Sequence, residues 1–257
     1  MTSHDPSATA EPSDTPRYRE LLVLDDAEVE VLDGPGARRI APLPSRGEDP
    51  EVWQARTQVA AQRVVDQGWA ERTDDALAPV GHAAAVLAAR FSWTTVLVVE
   101  QHTGGYRDYL VAYLRADRKA LLESVSQAGA HRFLATTAEV ALEEVARFLM
   151  PVDGGQDGTG TDVDSPRETW TPQEWERQGA APTVGAVMVS ALVATRNHLA
   201  TGDDSTVDQR RTSVFVLPDR TVVATGTPDG DLSVGTTTRA SLVAEIASMT
   251  HLADEEA

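Results

Sequence analysis

Histidine, serine, aspartate and lysine are the residues through which this chain could do chemistry, and their spacing limits what they can do. The six histidines stand at His4, His82, His102, His131, His198 and His251. None lies three or four residues from another, so no helix face presents two of them to a zinc ion, and a site would have to be gathered by folding. Asp153, Asp157, Asp162 and Asp164 fall in a glycine-rich run, and oxygen-rich loops bind calcium. EF-hand spacing is absent, however, and the partial likeness of 158–162 to a calcium β-roll repeat occurs once, so the run reads as a linker. No Gly-x-Ser-x-Gly elbow exists, and Ser190 and Ser213 fall inside predicted strands. Lys119 is the only lysine and has no glycine-rich loop around it, which removes a Walker-type phosphate site. The sequence therefore assigns no catalytic residue, no cofactor and no metal ligand.

Aromatic residues outside a regular core are a different kind of candidate, because interfaces favour them as anchors. Tyr106 and Tyr109 flank a predicted hairpin, and Trp170 and Trp175 sit in or beside the linker. These four are the partner-binding expectation, with local packing as the competing reading of each. Composition narrows the partner. The 257 residues carry a net charge of −18, with −3 in residues 1–16, −5 in 151–183 and −3 in 253–257. That leaves −7 for the rest, and no concentrated basic face of the kind a phosphate backbone requires. Nucleic acid is not expected as a partner. The absence of cysteine excludes disulfides and thiolate chemistry. The longest apolar run, 184–194, falls short of the ~20 residues needed to span a bilayer, and no secretory signal is evident, so the expected location is cytoplasmic with no membrane insertion.

The elements that must position these residues are legible in part. Residues 1–16 read as a disordered acidic tail. From Tyr18 the chain turns apolar, with Leu21–Leu24 and then Val29, Val31 and Leu32, a strand followed by either a short helix or a second strand. Asp49 as N-cap and Pro50 at the first turn start a helix that Gly68 stops. Val52, Ala55 and Val59 form one apolar stripe on it, with Trp53, Ala60 and Val64 beside it. A second helix is predicted over 79–90, presenting Val80, Ala83, Val86 and Leu87. This stretch also resembles part of a winged-helix domain, a DNA-binding regulator as an alternative. Against it, residues 74–89 hold no arginine or lysine to flank a major-groove helix.

From Trp93 onward the chain is written twice. Strands are predicted over 94–101, 108–115, 120–126 and 131–135, closed by a helix from Thr137 to Leu149 that buries Val140, Ala141, Val145, Phe148 and Leu149. A second version covers about 210–250, with strands at 212–217, 221–225 and 232–236 and a helix over 238–249 offering Leu242, Val243, Ile246 and Met249. An offset of 101 positions pairs Leu121–Leu122 with Val222–Val223, Gly129 with Gly230, and Thr136–Thr137 with Thr237–Thr238. An offset of 102 pairs Asp117–Arg118 with Asp219–Arg220. Residues 184–196 suit a strand, though their Ala and Met would suit a helix, and 197–209 form a long polar loop. Thr171–Pro172–Gln173–Glu174 has capping-box spacing and predicts a short helix carrying Trp175.

The expected fold is thus α+β: two pseudo-symmetric repeats of an antiparallel β-meander plus closing helix, preceded by N-terminal helices. The expected organisation is 1–16 tail, 17–150 first half, 151–183 acidic linker with a short helix, 184–252 second repeat and 253–257 acidic tail. The pairing of 120–148 with 221–249 resembles the EspG family, the cytosolic chaperones of ESX (type VII) secretion in actinobacteria. The loop at 197–209 and the acidic linker depart from that pattern. The resemblance implies a non-catalytic chaperone or adaptor that grips a helical secretion substrate of the PE–PPE kind and keeps it soluble. Its rival is a small-molecule enzyme whose site is assembled between the two halves, gathering His102, His131 or His198 with buried carboxylates.

Overall fold

Asp25 ends the first strand and starts the first helix, which settles the choice left open at 26–33. Its carboxylate accepts the Glu28 N–H at 2.9 Å, while the Glu28 carboxylate accepts the Asp25 N–H at 2.8 Å. This reciprocal cap satisfies two amide donors that a helix start would otherwise leave unpaired. In the computed structural model, residues 17–34, 40–47, 49–74, 76–103, 106–149, 165–177, 187–196, 207–216, 221–226 and 230–250 are described. Both predicted tails, most of the predicted linker and residues 197–206 lie outside them.

Strand β1 (Arg19–Asp25) leads into α1 (Asp26–Asp33), and α2 (Pro50–Asp66) follows a short 3₁₀ turn at Pro44–Gly47. A small hairpin of β2 (Ala70–Arg72) and β3 (Leu77–Pro79) connects to α3 (Gly81–Phe91). The first meander is β4 (Thr95–Thr103), β5 (Tyr106–Leu114), β6 (Lys119–Val125) and β7 (Ala130–Thr137), closed by α4 (Ala138–Leu149). Then come β8 (Glu168–Trp170) and α5 (Pro172–Arg177). The second meander is β9 (Val187–Arg196), β10 (Val207–Val216), β11 (Thr221–Gly226) and β12 (Leu232–Thr236), closed by α6 (Arg239–Met249).

Ten of these strands form one antiparallel sheet in the order β1-β7-β6-β5-β4-β9-β10-β11-β12-β8. The two meanders meet at β4 and β9, where Thr95 lies opposite Thr195 and Val99 opposite Ala191. The fold is α+β and antiparallel, as expected. Because alternate residues of a strand face opposite sides, each sheet face has its own core. One face carries Leu97, Val99, Leu122, Val214 and Val223, and α4 and α6 lie over it, contributing Ala141, Val145, Leu149, Leu242 and Ile246. The two closing helices also pack on each other. The opposite face of the first half carries Leu22, Val111, Tyr113, Leu121 and Phe133 beneath α1 and α3. Helix α2 packs on α1, outside that layer.

Several local expectations need correction. The buried stripe of α2 is Ala60 and Val64, whereas Val52 and Val59 are 51% and 59% exposed. Only a narrow line of an outer helix meets its neighbour, and two small side chains fill it. Residues 187–196, by contrast, are strand as read, lying between β4 and β10 and completing the ladder of both. Val207, Asp208 and Gln209, read as loop, extend β10 against Arg196, Thr195 and Ala194. Within the predicted linker, Glu168–Trp170 adds an edge strand to β12. That strand is tied down beside its start: Ser165 and Thr236 exchange two hydrogen bonds, and Arg167 pairs with Glu245 on α6. The predicted capping box of α5 forms, with Glu174 N–H donating to the Thr171 hydroxyl and Thr171 N–H to the Glu174 carboxylate.

Candidate functional site

Helix α4 crosses its half of the sheet and leaves part of the face open beside it. The uncovered rows are fixed by register. Leu110, Ser124 and Arg132 lie in line across β5, β6 and β7, and Leu122, Leu134 and Glu20 across β6, β7 and β1. With Gln101, Tyr18 and the α4 side chains Glu144, Arg147 and Phe148, they enclose a groove of about 560 Å³. Its floor is apolar: Leu110, Leu122 and Leu134, walled by Phe148. Its rim is charged and internally paired, Glu20 with Arg132 and Glu144 with Arg147, while Tyr18 donates its hydroxyl proton to Glu144 at 2.6 Å. An apolar floor inside a polar rim is the anatomy of a protein interface, and the volume also falls in the range of small-ligand pockets.

A second cluster lies on the other side of the sheet, sealed from solvent. His131 on β7 places Nδ1 2.7 Å from Glu123 Oε1 and Nε2 2.7 Å from Asp26 Oδ1, and all three side chains are 0% exposed. Glu123 also accepts the Tyr113 hydroxyl at 2.7 Å and pairs with Arg90 Nε at 3.2 Å. Arg90 in turn pairs with Asp33 at the end of α1. Burial alone would push both carboxyl groups up. Arg90 and His131 beside Glu123, and the bonds from His131 and the Ser45 N–H to Asp26, outweigh it and hold both below their ordinary values. Burial also works against a charged His131, but its bonds to the two carboxylates raise its pKa above the ordinary histidine value. Burial and the neighbouring Glu123 keep Tyr113 protonated far into the alkaline range. With a carboxylate on each ring nitrogen, both contacts are hydrogen bonds only when both nitrogens carry protons, which favours the imidazolium.

A carboxylate–imidazole–carboxylate chain has the parts of a proton relay, but a relay must reach the atom it protonates. Here all three side chains are 0% exposed, which suits a structural role for the chain of charges. His131 does meet buried carboxylates, as the enzyme reading required, yet within the first half and not between the halves. His82 is exposed, and the side chains of His4, His102, His198 and His251 lie outside the described set. Among the described residues no group of three or more His, Cys, Asp or Glu could hold a metal ion. Against the winged-helix alternative, Ala83, Val86 and Arg90 of α3 are buried while Gly81, His82, Ala85 and Ala88 are exposed, so the face it leaves to solvent carries no arginine or lysine for a DNA backbone.

The four aromatic candidates are not brought together. Tyr109 on β5 is half-buried and donates its hydroxyl proton to Glu100 at 3.0 Å. Trp170 on β8 packs on Ala224 and Val234 and donates its indole N–H to Glu168 at 3.0 Å. Five strands separate β5 from β8, roughly 30 Å at ordinary strand spacing. Tyr106 lies on β5 and Trp175 on α5, their side chains outside the described set. Sequence reading missed the buried charges, although a signal was present. Glu123 shares the alternation of Leu121 and Val125, and Arg90 continues the helical stripe of Ala83 and Val86.

No protein-family model and no curated protein matches this sequence. Solved structures do match in fold. One is the Mycobacterium tuberculosis type VII secretion system chaperone EspG5, whose structure was determined in complex with the PE25–PPE41 dimer. It superposes with a TM-score of 0.52 over 89% of this chain and 95% of that one, at 10% identity. The fold is EspG-like. At that identity the likeness reaches the arrangement of strands and helices and not the side chains of the groove or of the buried cluster. Among the described residues no helix of this EspG-like chain is long and apolar enough to cross a membrane.

Proposed function

We propose that this chain is a non-catalytic cytosolic chaperone or adaptor that binds a helical protein of type VII secretion, of the PE–PPE kind, and keeps it soluble. The observation that carries the reading is the EspG-like fold over nearly the whole chain, since the matching protein is a type VII secretion system chaperone in complex with a PE–PPE dimer. The groove beside α4 supports it chemically. An aggregation-prone helical tip exposes apolar side chains, and Leu110, Leu122, Leu134 and Phe148 offer them an apolar floor behind a rim whose charges already pair. The offset of 101 positions supports a chain built of two pseudo-symmetric halves, with the acidic linker between them. Tyr106, Tyr109, Trp170 and Trp175 remain proposed partner contacts.

Co-expression with PE–PPE heterodimers from the same genome tests this function. The expected result is a heterodimer that becomes soluble with this chain and elutes with it as one complex by size exclusion with light scattering. Heterodimers whose solubility and elution ignore the chain would overturn the reading. Two substitutions then locate the surface. Leu134→Arg abolishes the complex if the groove holds the partner, and Trp170→Ala weakens it if the β8 edge does.

A further inference from the structure

Helix α1 is fastened to the sheet at both ends by buried charge. At its start, Asp26 holds His131 Nε2 through Oδ1 and accepts the Ser45 N–H at 2.6 Å through Oδ2, which draws in the 3₁₀ turn. At its end, Asp33 holds Arg90 of α3. The groups facing His131 come from every neighbouring element. They are Asp26 from α1 and Glu123 from β6, with the Phe133 ring stacked at 6.3 Å, and behind Glu123 stand Tyr113 of β5 and Arg90 of α3. Three carboxylates meet two cations in a volume closed to water.

We propose that His131 is a proton-operated latch on α1: the imidazolium, donating from both ring nitrogens, holds the helix and the 44–47 turn to the sheet, and losing one proton releases them. A neutral ring has one N–H. Its other nitrogen would then face a buried carboxylate with lone pair against lone pair, a contact that costs more in a low dielectric than in water. The sign of the pH dependence follows from the pKa directions. His131 is raised by folding, so its contribution is complete below the ordinary value of 6.5 and is lost as pH rises through the folded-state value. Asp26 and Glu123 are lowered, so theirs is present above the ordinary carboxylate range and lost only as pH falls below it. The latch therefore responds around neutrality from the alkaline side. One proton is linked to opening there, so the opening constant rises about tenfold per pH unit between 6.5 and the folded-state value.

Hydrogen exchange on the full chain between pH 6 and 9, corrected for the intrinsic rate, tests the latch. Amides of 26–33 and 40–47 should open about tenfold more per pH unit from 6.5 up to the folded-state value of His131 and level off beyond it, while those of 221–236 stay unchanged. Nitrogen NMR of His131 should show both ring nitrogens protonated at pH 7. Glu123→Gln removes one of the two carboxylates that require the second proton, so a folded variant should lose most of the pH slope. A flat profile in the native chain, equal loss in both regions, or a singly protonated His131 at pH 7 would overturn the proposal. The last two readings need no variant to fold.

Discussion

Glu123 and Ala224 occupy matching places in the two meanders and do opposite things. Glu123 lies across from Phe133 on β7, and Ala224 across from Val234 on β12, each residue 101 positions from its counterpart. The next pair outward repeats the relation, Val125 with His131 and Gly226 with Leu232. The register is the same, but a buried acid and a histidine on one side become alanine and leucine on the other. On the α4 and α6 face the halves agree instead. Leu122 and Val223, Ala141 and Leu242, and Val145 and Ile246 all enter one core. The face that joins the halves repeats its apolar chemistry, and the outer face diverges where one half receives α1 and α3. An apolar surface would hold those helices without fixing where they sit. Charges that must meet named partners fix the position, at a desolvation cost that a purely apolar core avoids.

The largest test of that contrast is to remove the acid. Glu123→Ala leaves Arg90 and His131 buried without their shared carboxylate, and breaking such a network costs on the order of 3–5 kcal/mol. Urea unfolding should show that loss at pH 7. The reciprocal change, Ala224→Glu, puts a carboxylate among the apolar side chains of Val222, Leu232 and Trp170. Burial would raise its pKa, so the penalty should grow as pH rises above the ordinary carboxylate range. If Ala224→Glu matches the native chain at pH 7, the outer face of the second half is not the dry surface this comparison requires.

Strands and closing helices were legible because their periodicities are local. The alternation over 119–137 and the stripe of 138–149 follow from residues a few positions apart, and so do the caps at Asp49 and Thr171. The groove was not legible, since it needs Tyr18 and Glu20 to meet Glu144 and Arg132 across more than a hundred residues. The charge cluster lies between these cases. Glu123 and Arg90 broke an apolar pattern visibly, but Asp33, which pairs with Arg90, and Asp26, which meets His131, belong to a helix whose place only folding decides. The edge strand at 168–170 was hidden by its length, since three residues give no alternation to read.

A smaller effect separates the two turn glycines. Gly129 and Gly230 both adopt left-handed backbone, with φ of 77° and 87°. Alanine at either costs about 1–2 kcal/mol for that conformation alone. At Gly230 a new Cβ meets nothing within 4 Å, whereas at Gly129 it would run into Asp26 Oδ2 and Ser45 Oγ. Overpacking adds roughly 1–3 kcal/mol, so Gly129→Ala should be the worse of the two in urea by about that amount. Exchange should show the excess in α1. Equal costs would mean that the turn yields without disturbing the latch.

The smallest contrast is at the closing helices, where the halves should behave nearly alike. Thr238 caps α6 by accepting the Ser241 N–H at 3.1 Å, and Thr137 accepts the Val140 N–H at a longer 3.4 Å. Losing a threonine cap costs about 1 kcal/mol in general, and the longer bond sets Thr137→Ala below Thr238→Ala. The two values, read from urea midpoints at constant slope, should differ by no more than a few tenths of that loss. Thr137→Ala has a second reason to be mild, because Arg118 holds Glu139 in the first turn of α4 and remains after the hydroxyl is gone. A cap loss in one half that far exceeded the other would mean that the inner face, too, has diverged.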